Sequence, residues 1–153
     1  MVLKGKMVTE LGIRSPAVKF FNVFAKQLHN LQDIVDKVYD GKLHEGDWHD
    51  TGSVKSWNLT TGKVRTFKES IEAIDEQSKS ISFKIFDGEN SKDYKMYKVH
   101  LQVIDIEEEG GVVTIWTIEY EKLNEDVAPP YHYLDIITAT TKETDAHVLK
   151  AEQ

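Results

Sequence analysis

Two ionisable side chains of opposite charge, Lys55 and Glu69, are the strongest candidates for chemistry in this sequence. Each alternates with apolar residues along a predicted strand, Trp57 and Leu59 in one and Phe67 in the other, so each shares its strand's apolar face. If a three-residue loop at 61–63 joins the two strands, positions 55 and 69 lie opposite each other. We therefore expect the pair in an apolar wall, binding a ligand hydroxyl or carboxylate or relaying a proton. A lysine that extends to water beside a solubilising glutamate fits the same pattern.

Tyrosines supply the other candidate polar groups, because a phenol offers both apolar area and a hydroxyl. Tyr97, Tyr120, Tyr131 and Tyr133 could each line a cavity or pack in an ordinary core, and Tyr97 joins Lys55 and Glu69 as a candidate for catalysis. The chain has no cysteine, and no serine lies in a nucleophile elbow. A catalytic triad is therefore not predicted.

The loop EGDWHDTGS at residues 45–53 resembles a phosphate or metal site only superficially. A phosphate loop needs several glycines followed by a helix N-terminus, whereas this loop carries three acids and precedes an alternating strand. His44, Glu45, Asp47 and His49 lie too close together on one loop to set a closed metal geometry. We predict neither a phosphate site nor a metal site.

The elements that position these residues follow a simple order along the 153-residue chain. Loose alternation predicts a strand at residues 2–13, and apolar residues at helical spacing predict two short helices that bend near residues 26–30. A period of two then predicts strands at about 38–45, 52–60, 63–74, 78–87, 94–106 and 111–122. Pro129 and Pro130 precede a helix of about 20 residues that reaches Lys150.

The predicted sheet needs a cover for its apolar face, and the last helix is the element long enough to supply one. This helix has threonine in the middle of its inward stripe, whereas the sheet presents large apolar side chains, so we predict an incompletely filled interior. An ordinary packed α+β core fits the same pattern. The candidate ligand-binding residues are Phe24, Leu31, Trp57, Leu59, Phe67, Ile81, Phe83, Ile85, Val99, Leu101, Trp116, Leu134, Ile137, Thr138 and Thr141.

Composition restricts the classes of partner. The formal net charge of −7 argues against a nucleic-acid backbone or an anionic membrane as partner. The N-terminus does not read as a signal peptide, and no segment approaches the ~20 apolar residues of a membrane span. Together with the lack of cysteine, this favours a cytoplasmic location. The oligomeric state is not predictable from these features.

Several motifs together resemble the plant major latex protein-like family of the Bet v I (pathogenesis-related) superfamily. They cover nearly the whole chain in this order: KFFNVF, LHEGDWHDTGSVKSWN, IEAIDEQSKSISFKIFDGE, YKMYK, TIWTIEYEKLNEDV and YLDIITATTKETDAHVL. The resemblance implies a single domain over residues 1–153 with an α+β, START-like helix-grip fold. A seven-stranded antiparallel sheet would wrap around a long C-terminal helix, with two short helices and a large hydrophobic cavity.

The resemblance also implies two functions. One is a carrier or buffer, connected with plant defence, that binds a hydrophobic small molecule such as a sterol, terpenoid, flavonoid or hormone. The other is a cofactor-free cyclase or isomerase acting on a reactive terpenoid or alkaloid intermediate of specialised metabolism, because some relatives are enzymes of that kind. No motif maps one activity, so the sequence leaves open whether the chain is an enzyme. It implies no metal or organic cofactor.

Overall fold

The computed structural model describes residues 3–60, 64–106 and 110–151. Seven strands form one antiparallel sheet in the order β1-β7-β6-β5-β4-β3-β2. The strands are β1 (Lys4–Ile13), β2 (Val38–Glu45), β3 (Val54–Thr60), β4 (Val64–Asp75), β5 (Ser80–Gly88), β6 (Tyr94–Ile106) and β7 (Gly111–Lys122). The helices are α1 (Ala17–Lys26), α2 (Leu31–Ile34) and α3 (His132–Ala151). This confirms the predicted α+β fold, while the predicted loop at 61–63 lies outside the described residues.

Alternation along the strands decides which side chains face α3. In β6, Tyr97, Val99 and Leu101 are buried, whereas the side chains between them keep access to solvent. In β3, Lys55, Trp57 and Leu59 are buried in the same alternating way. The inward faces of both strands are those that the period of two predicts, because successive side chains of a strand point to opposite faces.

The two short helices close one end of the sheet. Pro16 precedes α1 with φ −59°, the value that its ring imposes and that a helix start accepts. Phe20, Phe21 and Phe24 form the buried side of α1. The predicted bend near residues 26–30 is a 3₁₀ turn at Leu28–Asn30 between α1 and α2.

Asp145 ties the long helix to the junction between β1 and α1. Its carboxylate accepts hydrogen bonds from the backbone N–H groups of Arg14 and Ser15, at 3.0 Å and 2.8 Å, and from the Ser15 hydroxyl. Ser15 is buried, so these bonds satisfy donors that water cannot reach. They fix the position of α3 over the sheet.

Helix α3 buries a face that is partly hydroxylic. Its buried residues are Tyr133, Ile136, Ile137, Thr140, Thr141, Thr144 and Val148. The predicted inward residue Leu134 is only half-buried, because the helix is rotated so that Tyr133 and Ile136 face inward instead. In the described residues, no helix combines the length and the apolar character that crossing a membrane requires.

Candidate functional site

An internal cavity of about 100 Å³ lies between the sheet and α3. Its walls are mostly aromatic and aliphatic side chains. They come from α1, the 3₁₀ turn, α2, α3 and the six strands β2 to β7. The lining residues are Phe24, Leu28, Leu31, Val38, Trp57, Leu59, Phe67, Glu69, Phe83, Ile85, Val99, Trp116, Tyr133, Ile136, Ile137 and Thr140. Among these, Glu69 is the residue with an acidic or basic side chain.

The size of the cavity constrains what it can hold. A cavity needs only about 10–15 Å³ to accommodate one water, so the interior is incompletely filled. Pockets for drug-sized ligands usually measure about 300–1,000 Å³. The cavity is therefore smaller than the large one that the family resemblance implies, because six aromatic side chains and α3 occupy much of the space inside the sheet.

Ten of the fifteen predicted ligand-binding residues line this cavity. They are Phe24, Leu31, Trp57, Leu59, Phe67, Phe83, Ile85, Val99, Trp116 and Ile137. Ile81, Leu101 and Thr141 are buried in the packed part of the core, and Leu134 and Thr138 are half-buried on α3. Thr138 instead donates its hydroxyl to the Leu134 carbonyl at 2.8 Å. Alternation along a strand assigns each side chain to a face of the sheet, but it does not show how far along that face a cavity extends.

Sequence reasoning missed several cavity-lining residues on the helices and at the start of β2. These are Leu28, Val38, Ile136 and Thr140. Tyr133, one of the four tyrosines named as cavity candidates, does line the cavity. For α3, the sequence does contain a signal for the inward face. Tyr133, Ile136, Ile137 and Thr140 follow the i, i+3, i+4, i+7 spacing of one helix face. Starting the inward face at Tyr133, and not at Leu134, would have included Ile136 and Thr140.

Lys55 and Glu69 are direct partners in the register of β3 and β4. Their side chains nevertheless diverge. Lys55 is 0 % exposed, and its ammonium donates hydrogen bonds to the Trp48 carbonyl at 2.9 Å and to Ser53 Oγ at 3.1 Å. Burial lowers the pKa of Lys55, and the nearby Glu69 opposes that shift. The expectation that Lys55 points into the cavity is wrong, because its ammonium finds its partners in the loop between β2 and β3.

Glu69 contributes a carboxyl group to the lining of the cavity. The indole N–H of Trp57 donates to its Oε1 at 3.3 Å. Burial raises the pKa of Glu69 to about 7, even though Lys55 and the Trp57 hydrogen bond both act to lower it. A carboxyl with this pKa exists in both protonation states near neutral pH, so it can donate or accept a hydrogen bond and can transfer a proton.

The loop between β2 and β3 is held in place by hydrogen bonds and ring packing. His49 Nε2 accepts a hydrogen bond from the backbone N–H of Leu28 at 3.0 Å, and desolvation is the main cause that lowers the pKa of His49. The Trp48 ring packs on Trp57 with a centroid distance of 5.5 Å. Among the described residues, no cluster of three or more His, Cys, Asp or Glu side chains could hold a metal ion. The loop thus closes the helical end of the molecule.

Tyr97 lies away from Glu69's cavity. Its ring packs against Tyr133 and Tyr94, at centroid distances of 5.1 Å and 5.2 Å. It lines a separate pocket of about 420 Å³. This pocket lies between β5 and β6, past the Lys84–Lys98 pair at which their backbone pairing ends. Burial raises the pKa of Tyr97. A phenol whose ionisation is suppressed in this way is a poor proton-transfer group at neutral pH, and within the described residues its hydroxyl has no hydrogen-bond partner.

Comparison with known proteins agrees with this architecture. The model of the pathogenesis-related protein Bet v 1 family matches residues 2–151. MLP-like protein 43 from Arabidopsis thaliana is 37% identical over 152 residues, covering 98% of this chain and 96% of the relative. Major latex protein 146 from Papaver somniferum is 30% identical over 152 residues, covering 98% and 94%.

Solved structures extend the comparison. Ginseng major latex-like protein 151 from Panax ginseng superposes with a TM-score of 0.91 at 35% identity, covering 96% of this chain and 99% of that one. A norcoclaurine synthase point mutant from Thalictrum, in complex with a transition-state analogue, superposes with a TM-score of 0.77 at 14% identity, covering 100% and 99%. At that identity the second likeness shows the fold alone.

Proposed function

This chain belongs to the pathogenesis-related protein Bet v 1 family, and from that premise we propose that it binds hydrophobic small molecules in its internal cavity as a carrier or buffer. The observation that supports the proposal is the apolar cavity under α3, with Glu69 as its one acidic or basic lining residue. Sites for small ligands typically combine such an apolar wall with a few polar groups.

The cavity is large enough to make binding measurable. A ligand that buries ~200 Å² of apolar surface gains roughly 5 kcal/mol before the costs of association are subtracted. Association costs about 4 kcal/mol or more and offsets most of that gross term, so we expect the affinity to be weak. Ligand binding to the native state also raises the free energy of unfolding in proportion to the logarithm of ligand concentration.

Displacement of a neutral fluorescent probe, 1-aminoanthracene, by terpenoids, flavonoids and sterols tests this proposal. Thr140 lines the cavity and Thr138 on the same helix does not, so the two positions give a matched pair. Thr140→Leu fills part of the cavity and should weaken binding at least tenfold, whereas Thr138→Leu should leave it within threefold of wild type. Failure of the probe and of every ligand class to bind would remove the carrier function.

Acid–base catalysis without a cofactor is the second candidate function, and Glu69 is the observation that favours it. Its carboxyl faces an apolar cavity with a pKa of about 7, the range that proton transfer at neutral pH requires. A cyclase or isomerase of this kind would use Glu69 to remove and return a proton. Lys55 would act only indirectly, through its charge beside Glu69.

Hydrogen–deuterium exchange at the carbon next to the carbonyl of citronellal, followed by NMR in D₂O, tests the catalytic candidate. Glu69 would take the proton from carbon, and the enolate would then take a deuteron at the same carbon. Glu69→Gln should abolish the protein-dependent exchange while citronellal still binds. Equal exchange rates for the variant and the wild type would exclude Glu69 as the base.

A further inference from the structure

Among the described residues that line the cavity, Glu69 is an acid and none is a base, and this asymmetry bears on ligand choice. We propose that the cavity selects small neutral ligands bearing a hydroxyl or carbonyl oxygen and discriminates against carboxylates of the same shape. The inference rests on the proposed binding function and specifies its ligand class. It follows from where the charged side chains around the cavity point.

Two cations, Lys55 and Arg65, lie near the cavity without lining it. The Lys55 ammonium is committed to the Trp48 carbonyl and to Ser53 Oγ, both on the side of the loop between β2 and β3. Arg65 is on the same strand as Glu69, and its charge acts on the tyrosines of β6 and α3. Neither cation is among the residues that line the cavity. A buried ligand carboxylate would therefore lose its hydration without gaining a paired cation, which is a large cost.

Glu69 adds repulsion to that cost. The groups that face it are Lys55 on β3, the Trp57 indole and Tyr133 on α3. When Glu69 is ionised, a ligand carboxylate in the same apolar space meets a like charge, which is unfavourable in a low dielectric. When Glu69 is protonated, it can donate to a ligand carbonyl. The ionised form can accept from a ligand hydroxyl, so a neutral oxygen group suits both states.

A second polar group favours a ligand that carries an acceptor oxygen. The side chain of Trp116 lines the cavity, and its indole Nε1–H is buried without a hydrogen-bond partner among the described residues. A buried donor left unpaired costs about 1–3 kcal/mol. A ligand hydroxyl or carbonyl oxygen that reached this N–H would recover part of that cost, whereas a pure hydrocarbon would not.

The volume sets the size of the ligand. An apolar cavity of about 150 Å³ holds benzene, so the cavity of about 100 Å³ admits a monoterpenoid only if some of its lining side chains move. The smaller the ligand, the less of this movement it requires. A sterol would have to displace aromatic residues such as Trp57, Phe83 or Tyr133 from the space between the sheet and α3. We therefore expect affinity to fall as ligands grow from monoterpenoid to sterol size.

Geraniol and geranic acid form a matched pair for the test, because they share one carbon skeleton and differ in the charge of the oxygen group. Isothermal titration calorimetry at pH 7.5 should show geraniol binding to the wild type at least tenfold more tightly than geranic acid. Glu69→Gln should reduce the ratio of the two dissociation constants, geranic acid over geraniol, at least threefold. Glu10→Gln is the control, since Glu10 is exposed on β1 and its substitution changes the net charge equally.

Each outcome of this experiment is decisive. Geranic acid binding as tightly as geraniol, or a ratio unchanged in Glu69→Gln, would overturn the charge selection. Cholesterol binding more tightly than geraniol would overturn the size limit. In both cases the carrier function would survive. If neither ligand nor 1-aminoanthracene bound, the carrier function itself would fail, and the ligand class with it.

Discussion

Glu69→Gln should make the protein more stable at alkaline pH, and the size of the effect follows from the position of one carboxyl. Burial raises the pKa of Glu69 from 4.5 to about 7. A carboxyl whose pKa is raised on folding binds its proton more tightly in the native state than in the unfolded state. Its contribution therefore makes stability fall as pH rises from about 4.5 to about 7, and the loss is complete above that window.

A shift of this size corresponds to about 3 kcal/mol, since one pKa unit is worth 1.36 kcal/mol. Glutamine keeps the shape and the acceptor oxygen for the Trp57 indole, but it cannot ionise. Near pH 5 the variant and the wild type should have similar free energies of unfolding. At pH 8 the variant should be more stable by up to about 3 kcal/mol, or roughly 6–12 °C in Tm for a chain of this length.

Urea unfolding followed by circular dichroism at several values between pH 5 and pH 8.5 measures this difference. The difference between variant and wild type should grow with pH and then level off above pH 7. Glu10→Gln, measured in parallel, corrects for the change in net charge. If the difference in free energy of unfolding stayed constant from pH 5 to pH 8.5, the pKa of Glu69 would not be raised on folding. The role proposed for Glu69 in the cavity would then be refuted.

Three further predictions concern elements around the cavity. Because the pKa of His49 is lowered, the free energy of unfolding of the wild type should fall relative to that of His49→Gln as pH drops below 6.5, which urea unfolding at pH 5–8 would show. Asp145→Ala should cost about 2–4 kcal/mol by the same method, and Asp145→Asn less, since the amide oxygen still accepts. Gly41→Ala places a methyl 2.6 Å from the Trp57 ring and should cost about 1–3 kcal/mol in a thermal melt, whereas Gly12→Ala, with nothing within 4 Å, should not.

The fold was predictable because its signals are periodic and local. Lys55, Trp57 and Leu59 were assigned to one face by alternation alone, and the opposition of positions 55 and 69 followed from counting across a short loop. The extent of the cavity was not predictable in this way. Ile81 and Leu101 share their strand faces with Phe83 and Val99, yet only the latter two line the cavity. Alternation along a strand does not record which helix covers each level of the sheet, and α1 packs against both β5 and β6.

The direction of the Lys55 side chain was the other failure, and it has a physical reason. A register places two backbones opposite each other, but a long flexible side chain then chooses among the acceptors within its reach. The ammonium reaches the Trp48 carbonyl and Ser53 Oγ, which lie on the loop between β2 and β3. Those acceptors became available only because the loop folds back against Trp57 and Leu28. No pattern within a single strand contains that information.

Two costs to stability coincide at one place in this molecule. An incompletely filled cavity forgoes the packing that a full core provides, and Glu69 is a partly buried carboxyl whose ionisation is disfavoured in the same space. A sequence selected for stability alone could remove both with an apolar residue at position 69 and larger residues on α3. Departures from local rules are expected at functional sites and rarely elsewhere. Their coincidence is the reason to place ligand recognition at Glu69 and the Thr140 side of α3, away from the loop at 45–53 and from the tyrosines of β6.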